Sequence, residues 1–387
     1  LLKVFKTEID PTEEQKIKIR RTIGTCRFVY NFYIAHNAER HENGEKFMSS
    51  AAFRLWINNE YLPRNPDKSW IKDVSSKSVT QAINNAQSAF KRFFNHQGHF
   101  PKFKKKGASS VTMYFVHNNS KDCKCERHRI NIPTLGWVRL KEKGYVPTTK
   151  DGYVISSGNI SMKAGRYYVS VRVEVSDIRQ EQSLNDGLGI DLGVKDFAIL
   201  STGQTFKNIN RSARVKKIEK RLKREQRKLS RKYENLKNSK KGEATLRANI
   251  QKQRLTVQKL YQRVDNIRTD YINKTVAEIV KTKPSYIAIE DLNVRGMIKN
   301  RSLSKAVASQ RFFEMKTKLK YKCGINGIEL RVVNRWFPSS KLCHCCGQVK
   351  KDLRLSERVY RCDCGYIGDR DLNAALNLRD AKTYEIA

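Results

Sequence analysis

The chain has 387 residues, enough to bury more than one core, so two domains or one large multi-lobed domain is expected. It carries 78 Lys and Arg against 38 Asp and Glu, a net charge of +40, and such an excess repels itself in a compact fold unless a polyanion neutralises it. Nucleic acid is the expected polyanion; an anionic membrane is set aside because no apolar run spans a bilayer and no lipidation motif is present.

The opening Leu1–Lys6 has neither the apolar core nor the small-residue cleavage site of a signal peptide. Five of nine cysteines lie between residues 343 and 364. Without an export signal, that clustering favours metal over disulfides and a reducing, cytoplasmic compartment.

Residues 2–9 alternate like a short strand. Asp10-Pro11-Thr12-Glu13 then reads as a helix start, with Asp10 as N-cap, Pro11 at the first helical position and Glu13 reaching back. Helical segments follow to about residue 97, and Phe100–Lys106 forms a basic, aromatic connector. From about 110 to 177 the pattern is that of strands. In the clearest, Tyr167, Val169, Val171, Val173 and Val175 alternate with polar residues behind a turn at Ala164-Gly165. The N-terminal half is therefore expected to be a helical unit inserted between strands of a small β-domain.

A polar linker at 179–185 precedes the second half. Strands are expected at 187–193, 196–201, 285–290 and 328–334, interrupted by a long helical stretch. Residues 211–268 hold 21 Lys/Arg against 5 Asp/Glu. Apolar residues near heptad spacing, from Val215 to Ile267 with a break at 237–242, predict an antiparallel helical hairpin. A solvated charged face accounts for part of this; a nearby phosphate backbone accounts for the one-sided sign.

Three acidic residues carry the chemistry. Asp191 lies in Gly-Ile-Asp-Leu-Gly and Glu290 closes Tyr-Ile-Ala-Ile-Glu, both at the ends of apolar runs, while Asp371 opens a helix at Asp-Arg-Asp-Leu-Asn-Ala-Ala. Alternation places Asp191 with Gly189 and Gly193, and Glu290 with Ala288, small neighbours expected to leave room for a metal and a scissile phosphate. Leu372, Ala375 and Leu376 are the expected buried stripe of the helix at 372–378. Each carboxylate alone reads as a cap or a solvated strand end. Together they repel one another and call for Mg²⁺ held by oxygen ligands. Asp196, Asp291 and Asp369 rank lower: alternation turns Asp291 away from Glu290, and Asp369 reads either as a cap or as a group behind the metal ligands.

Cys343-x-x-Cys346 and Cys362-x-Cys364 read as a four-thiolate, structural Zn²⁺ ribbon. With one residue inside the second pair, substitution by His344 or Cys345 stays open. Cys123, Cys125 and His128 lack a second pair, so no metal is expected there. Cys26 and Cys323 read as core thiols. Lys102, Lys104, Lys105 and Lys106, interleaved with Phe100 and Phe103, suit either a phosphate clamp beside stacked bases or a solvated loop. Lys77, Thr80 and Gln81 share a helix that suits base-edge reading, although for Gln81 an exposed helix residue is the simpler account.

In order, Gly-Ile-Asp-Leu-Gly-Val-Lys-Asp-Phe-Ala, Ile-Ala-Ile-Glu-Asp-Leu, Phe337-Pro338-Ser339-Ser340-Lys341-Leu342-Cys343, the cysteine ribbon and Asp-Arg-Asp-Leu-Asn-Ala-Ala resemble the TnpB family. These are RNA-guided nucleases of insertion sequences, similar to the RuvC nuclease of type V CRISPR effectors. Weaker matches at Cys26–Asn31, Phe100–Phe103 and Gly136–Val138 extend the resemblance over nearly the whole chain. It implies a multidomain α+β protein. A β-barrel-like wedge domain would span 1–9 and 109–180, with a helical recognition lobe at 10–108. An RNase H-like RuvC domain would span 187–335 and 369–387, with a zinc ribbon at 336–368.

It also implies that Asp191, Glu290 and Asp371 are the catalytic triad. Two Mg²⁺ ions bridged by Asp191 would activate water and stabilise the leaving 3′-oxygen. A guide RNA from the transposon end would supply specificity to a monomer that cuts duplex DNA beside a short target-adjacent motif, in a bacterial or archaeal cytosol at the nucleoid. A nuclease-inactive RNA-guided repressor and a DNA-joining transposase are the alternatives.

Overall fold

The computed structural model describes residues 2–107, 110–117, 122–175, 185–238, 243–354 and 357–387. They form two compact units, Leu1–Asp177 and Ile178–Ala387. The expected linker at 179–185 falls, up to residue 184, outside the described residues, as do 239–242 at the hairpin break.

The first unit begins with strand β1 (Leu2–Asp10), followed by helices α1 (Glu13–Glu42), α2 (Ser50–Trp56), α3 (Leu62–Arg64) and α4 (Ser76–Phe94). Strands β2 (Met113–Val116), β3 (Arg129–Ile132), β4 (Gly136–Leu140), β5 (Ile155–Lys163) and β6 (Arg166–Glu174) complete it. Among the described residues the sheet order is β2-β5-β6-β1-β4-β3. β1 thus lies inside the sheet, paired from Leu2↔Glu174 to Ile9↔Tyr167, and the helices are an insertion between it and β2. Ala164 and Gly165 turn β5 into β6 with φ of 51° and 76°. Positive φ at both positions is what a two-residue hairpin with right-handed strand twist requires.

The first helix starts two residues later than expected. Thr12, not Asp10, is the N-cap: its hydroxyl accepts from the Gln15 N–H, and the Gln15 side chain accepts from the Thr12 N–H. This reciprocal pair satisfies two otherwise orphaned donors, more than an aspartate before Pro11 can offer. Asp10 instead ends the strand and pairs with Lys141.

The second unit opens with β7 (Leu188–Leu192), β8 (Asp196–Leu200) and β9 (Thr205–Lys207), and then the hairpin of α5 (Ala213–Asn238) and α6 (Glu243–Lys281). It continues with β10 (Tyr286–Glu290), α7 (Val294–Lys299), α8 (Ser304–Gln310), α9 (Phe312–Ile325) and β11 (Glu329–Val333). Last come β12 (Val359–Arg361), β13 (Ile367–Asp369), α10 (Arg370–Arg379) and β14 (Tyr384–Ile386). The sheet order is β14-β11-β10-β7-β8-β9, with β10 parallel to both β7 and β11 and the remaining pairs antiparallel.

Alternation assigns the two sheet faces. Leu188, Ile190, Ile287, Ile289, Leu330 and Val332 pack against α6, α8 and α9. Ala288 and Val333 face the other way, against Leu378 and Ala381 at the end of α10. The hairpin seam is closed by Ile218, Leu222, Val257, Leu260 and Val264, but Tyr233 nearer its tip is exposed. No helix among the described residues is long and apolar enough to cross a membrane.

Candidate active site and cysteine cluster

Asp191 and Glu290 stand at matching ends of neighbouring parallel strands. Ile190 pairs with Ile289, so the next position on each strand is a carboxylate. The third arrives on α10, whose N-cap Asp369 accepts from the N–H groups of Asp371 and Leu372. The cap role expected for Asp369 is therefore what the structure has.

α10 is positioned by an absence. A Cβ on Gly189 would lie 1.9 Å from the Ala375 carbonyl oxygen and 2.6 Å from the Arg379 nitrogen, so only glycine lets the helix backbone rest on β7. Asp371 lies one helical turn before Ala375, and Asp191 two strand residues after Gly189. A turn advances about 5.4 Å and two strand residues about 6.7 Å, so a helix running back along β7 brings Asp371 over Asp191. The room beside Asp191 expected for metal and phosphate is, at Gly189 and Ala288, filled by α10 instead. The expected stripe of Leu372, Ala375 and Leu376 is also corrected. Leu372 and Leu376 are only partly covered, while Asn373, Ala374, Ala375, Asn377 and Leu378 are buried.

The electrostatics follow from this convergence. Burial, then the charges of Asp371 and Glu290, push Asp191 up to about 7, only partly opposed by Arg370. Burial, then Asp291, raises Glu290 as well. Asp291 itself turns outward to Lys316 and Arg335, and Asp196 pairs with Lys207. A cation near Asp371 escaped the sequence reading: Arg358 Nη1 lies 3.5 Å from its carboxylate. Nothing in the sequence marks this basic residue, which comes from a different segment. These oxygen donors, with Asp191 pushed up to about 7 and Glu290 raised, fit a hard divalent cation.

The cysteines are drawn together more tightly. The sulfurs of Cys343, Cys346, Cys362 and Cys364 all lie within 4.8 Å of one another. Cys343 is 3.7 Å from Cys364 and Cys346 is 3.6 Å from Cys362. The edge of a tetrahedron with Zn–S bonds of about 2.3 Å is about 3.8 Å, so this donor set is shaped for zinc. Burial opposes the Cys343 thiolate, but the N–H groups of Cys346 and Cys345 outweigh it and lower the thiol to about 7. The open alternatives fall away: Cys345 is exposed and outside the cluster, and His344 faces Asp380. Among the described residues no other such cluster of Cys, His or carboxylates exists, and the carboxylate trio is not gathered to this distance.

Two asparagines tie the cluster to α10. Asn373 donates to the Leu342 carbonyl at 2.7 Å and accepts from His344 N–H at 3.1 Å. Asn377 donates to the Ser339 and Leu342 carbonyls at 2.8 and 2.7 Å. The remaining cysteines, Cys26, Cys123, Cys125 and Cys323, are buried, and burial pushes their thiols up to about 12, or about 11 for Cys125.

In the first unit, Gln81 is half-buried and bonded to Asn85, Thr80 is half-buried, and Lys77 is exposed in the first turn of α4. Gln81 lines a cavity of about 510 Å³ with Asn85, Arg92, Lys104 and Tyr114. Lys102, Lys105 and Lys106 are exposed. Lys104 differs: Asn31 holds its backbone through N–H and carbonyl, and its ammonium lies 5.1 Å over the Tyr30 ring. Phe100 packs edge-on against Phe90 and Phe93, leaving Phe103 as the more open ring of the connector.

Three family models match the chain. They are described as "Probable transposase" over residues 170–301, "Cas12f1-like, TNB domain" over 312–378 and "Helix-turn-helix domain" over 1–46. Over 1–46 the structure has a strand and one long helix, β1 and α1, rather than two helices and a turn. The chain is 33% identical over 384 residues to a "Putative RNA-guided DNA endonuclease" of Streptomyces pristinaespiralis, covering 97% of this chain and 88% of that one. It is 30% identical over 393 residues to the "Putative RNA-guided DNA endonuclease InsQ" of Escherichia coli (strain K12), covering 97% and 91%. Its fold is similar to a chain of a solved Cas12f1-sgRNA-target DNA complex, with a TM-score of 0.56 at 13% identity, covering 100% and 99%.

Proposed function

The chain belongs to the TnpB (OrfB-type) family, and from that premise we propose that it is an RNA-guided DNA endonuclease carried by a transposable element. The observation that carries the reading is Asp191, whose carboxyl is pushed up to about 7 by burial and then by the like charges of Asp371 and Glu290. Such a cost has a use when a divalent cation arrives. Asp191, Glu290 and Asp371 would hold two Mg²⁺ ions, which supply Lewis acidity to a scissile phosphate and lower the pKa of bound water. The protein holds the carboxylates on three separate elements, and the α10 cap fixes the third. Arg358 neutralises Asp371 and is placed to meet a phosphate beside it. Zinc on the four cysteines has a purely structural part in this reading.

The +40 chain would hold a guide RNA and a target duplex, with base pairing to the RNA supplying the sequence specificity. The helical lobe at 10–108, with Lys77, Thr80, Gln81 and the lysines at 102 and 104–106, would read a motif beside the target. The wedge, RuvC and ribbon divisions given above complete this arrangement, in a monomer bound to one RNA in the cytosol. All three carboxylates are present, which argues against a nuclease-inactive repressor. A DNA-joining transposase would use the same metals without RNA.

The test is to express the chain with its native flanking DNA, sequence the RNA that purifies with it, and offer a matched duplex with and without Mg²⁺. Cutting that needs both the RNA match and Mg²⁺ is expected. Mg²⁺-dependent strand joining without RNA would replace the proposal with the transposase reading.

A further inference from the structure

Just beyond β11, the backbone is shaped to keep one large apolar ring in water. The Asn334 side chain accepts from the Trp336 N–H at 2.9 Å, and the Asn334 carbonyl accepts from the Phe337 N–H at 2.9 Å. Arg335 is paired with Asp291, and Phe337 packs against the cluster under α10. Three of four consecutive residues are thus anchored. The fourth, Trp336, is 86% exposed, the most exposed of the large apolar side chains among the described residues. Tryptophan gains most from burial, so a held and uncovered indole is a surface awaiting a flat partner.

Its place says which partner. Val333 pairs with Glu290, and Asp291 N–H donates to the Val333 carbonyl, so this loop leaves the sheet beside the carboxylates. β11, β10 and β7 are consecutive strands, and two strand spacings amount to about 10 Å. That offset is on the order of one or two nucleotides along a single strand.

We infer that Trp336 is a stacking platform for one unpaired nucleobase of a single-stranded polynucleotide beside the carboxylate site. The inference rests on the nuclease reading for its purpose but not for its test. Stacking is tolerant of base identity, so the platform holds the strand without selecting its sequence.

The probe is a single-stranded DNA oligonucleotide containing 2-aminopurine, titrated into the full chain with its purified RNA, in the uncut background of Asp191→Asn. The parent quenches the fluorescence. Trp336→Ala removes the quench and weakens binding about tenfold, equivalent to about 1.4 kcal/mol; Trp336→Phe restores most of both. Unchanged quench and affinity in Trp336→Ala, or no binding by the parent, overturns the inference. If the protein with Asp191 intact cuts nothing yet binding still depends on Trp336, the nuclease reading fails and the platform stands.

Discussion

The carboxylate site and the cysteine cluster lie in the same unit, are joined by α10, and solve opposite problems. The cysteines come from one short stretch and already sit at spacings a single zinc ion would impose. The carboxylates come from two strands and a helix far apart in sequence, and are held near one another at an electrostatic cost. A structural metal site is assembled where its ligands are close in sequence and the metal itself contributes folding energy. A catalytic one must be held by the fold, because its donors also have to admit water and substrate. The two asparagines on α10 tie the first site to the helix that carries Asp371.

Four substitutions sharpen this contrast, from the largest effect down. Asp191→Ala should cut matched duplex at least about a thousandfold more slowly while RNA-guided binding stays within a few-fold, measured by single-turnover cleavage and filter binding. Cleavage at near-parental rate would take Asp191 out of the mechanism.

The next effect is on stability without metal. The folded-state pKa of Asp191 is raised, so the folded protein holds a proton that the unfolded chain releases near pH 4. Stability is therefore lost as pH rises from about 4 to about 7 and stays low above it. Asp191→Asn should remove that loss, stabilising the metal-free protein at pH 8 by on the order of 4 kcal/mol. Denaturant melts at pH 5 and pH 8 check it; equal pH dependence in parent and variant would show that Asp191 is not strained.

Cys343→Ser should act in the other direction. It releases zinc and costs about 3 kcal/mol, lowering the thermal midpoint by about 6–12 °C. Metal analysis and calorimetry read this out, and a variant that keeps stoichiometric zinc at the parental midpoint contradicts it. Smallest is Asn377→Ala, which strips the Ser339 and Leu342 carbonyls of a buried donor. It should cost about 2 kcal/mol and slow cleavage with zinc still bound. Unchanged cleavage would mean that the ribbon does not brace α10.

What was legible in the chain follows the same division. The faces of Asp191 and Glu290 could be read because a strand has a period of two, and apolar neighbours marked the inside. The cysteine cluster could be read from spacing, which still left His344 and Cys345 open until the four sulfurs were placed together. Gly189 was misread because its reason is a helix backbone nearly two hundred residues away in sequence, which no local pattern contains. The buried stripe of α10 was expected at Leu372, Ala375 and Leu376 because apolar residues normally mark the inside; Asn373 and Asn377 are buried instead, where they meet the ribbon's carbonyls. Asp10 lost the cap to Thr12 because a reciprocal Thr–Gln pair satisfies more of the backbone. Strands β9, β12, β13 and β14 have three residues each, too few for alternation to register.

The central claim is that Asp191, Glu290 and Asp371 act as one metal pocket. Single-turnover cleavage of a matched duplex, titrated with Mg²⁺ for the alanine variant of each residue, tests it most directly. All three variants should fall at least about a thousandfold at saturating Mg²⁺ with guided DNA binding retained. Any one of them cutting within about tenfold of the parent would contradict the shared pocket.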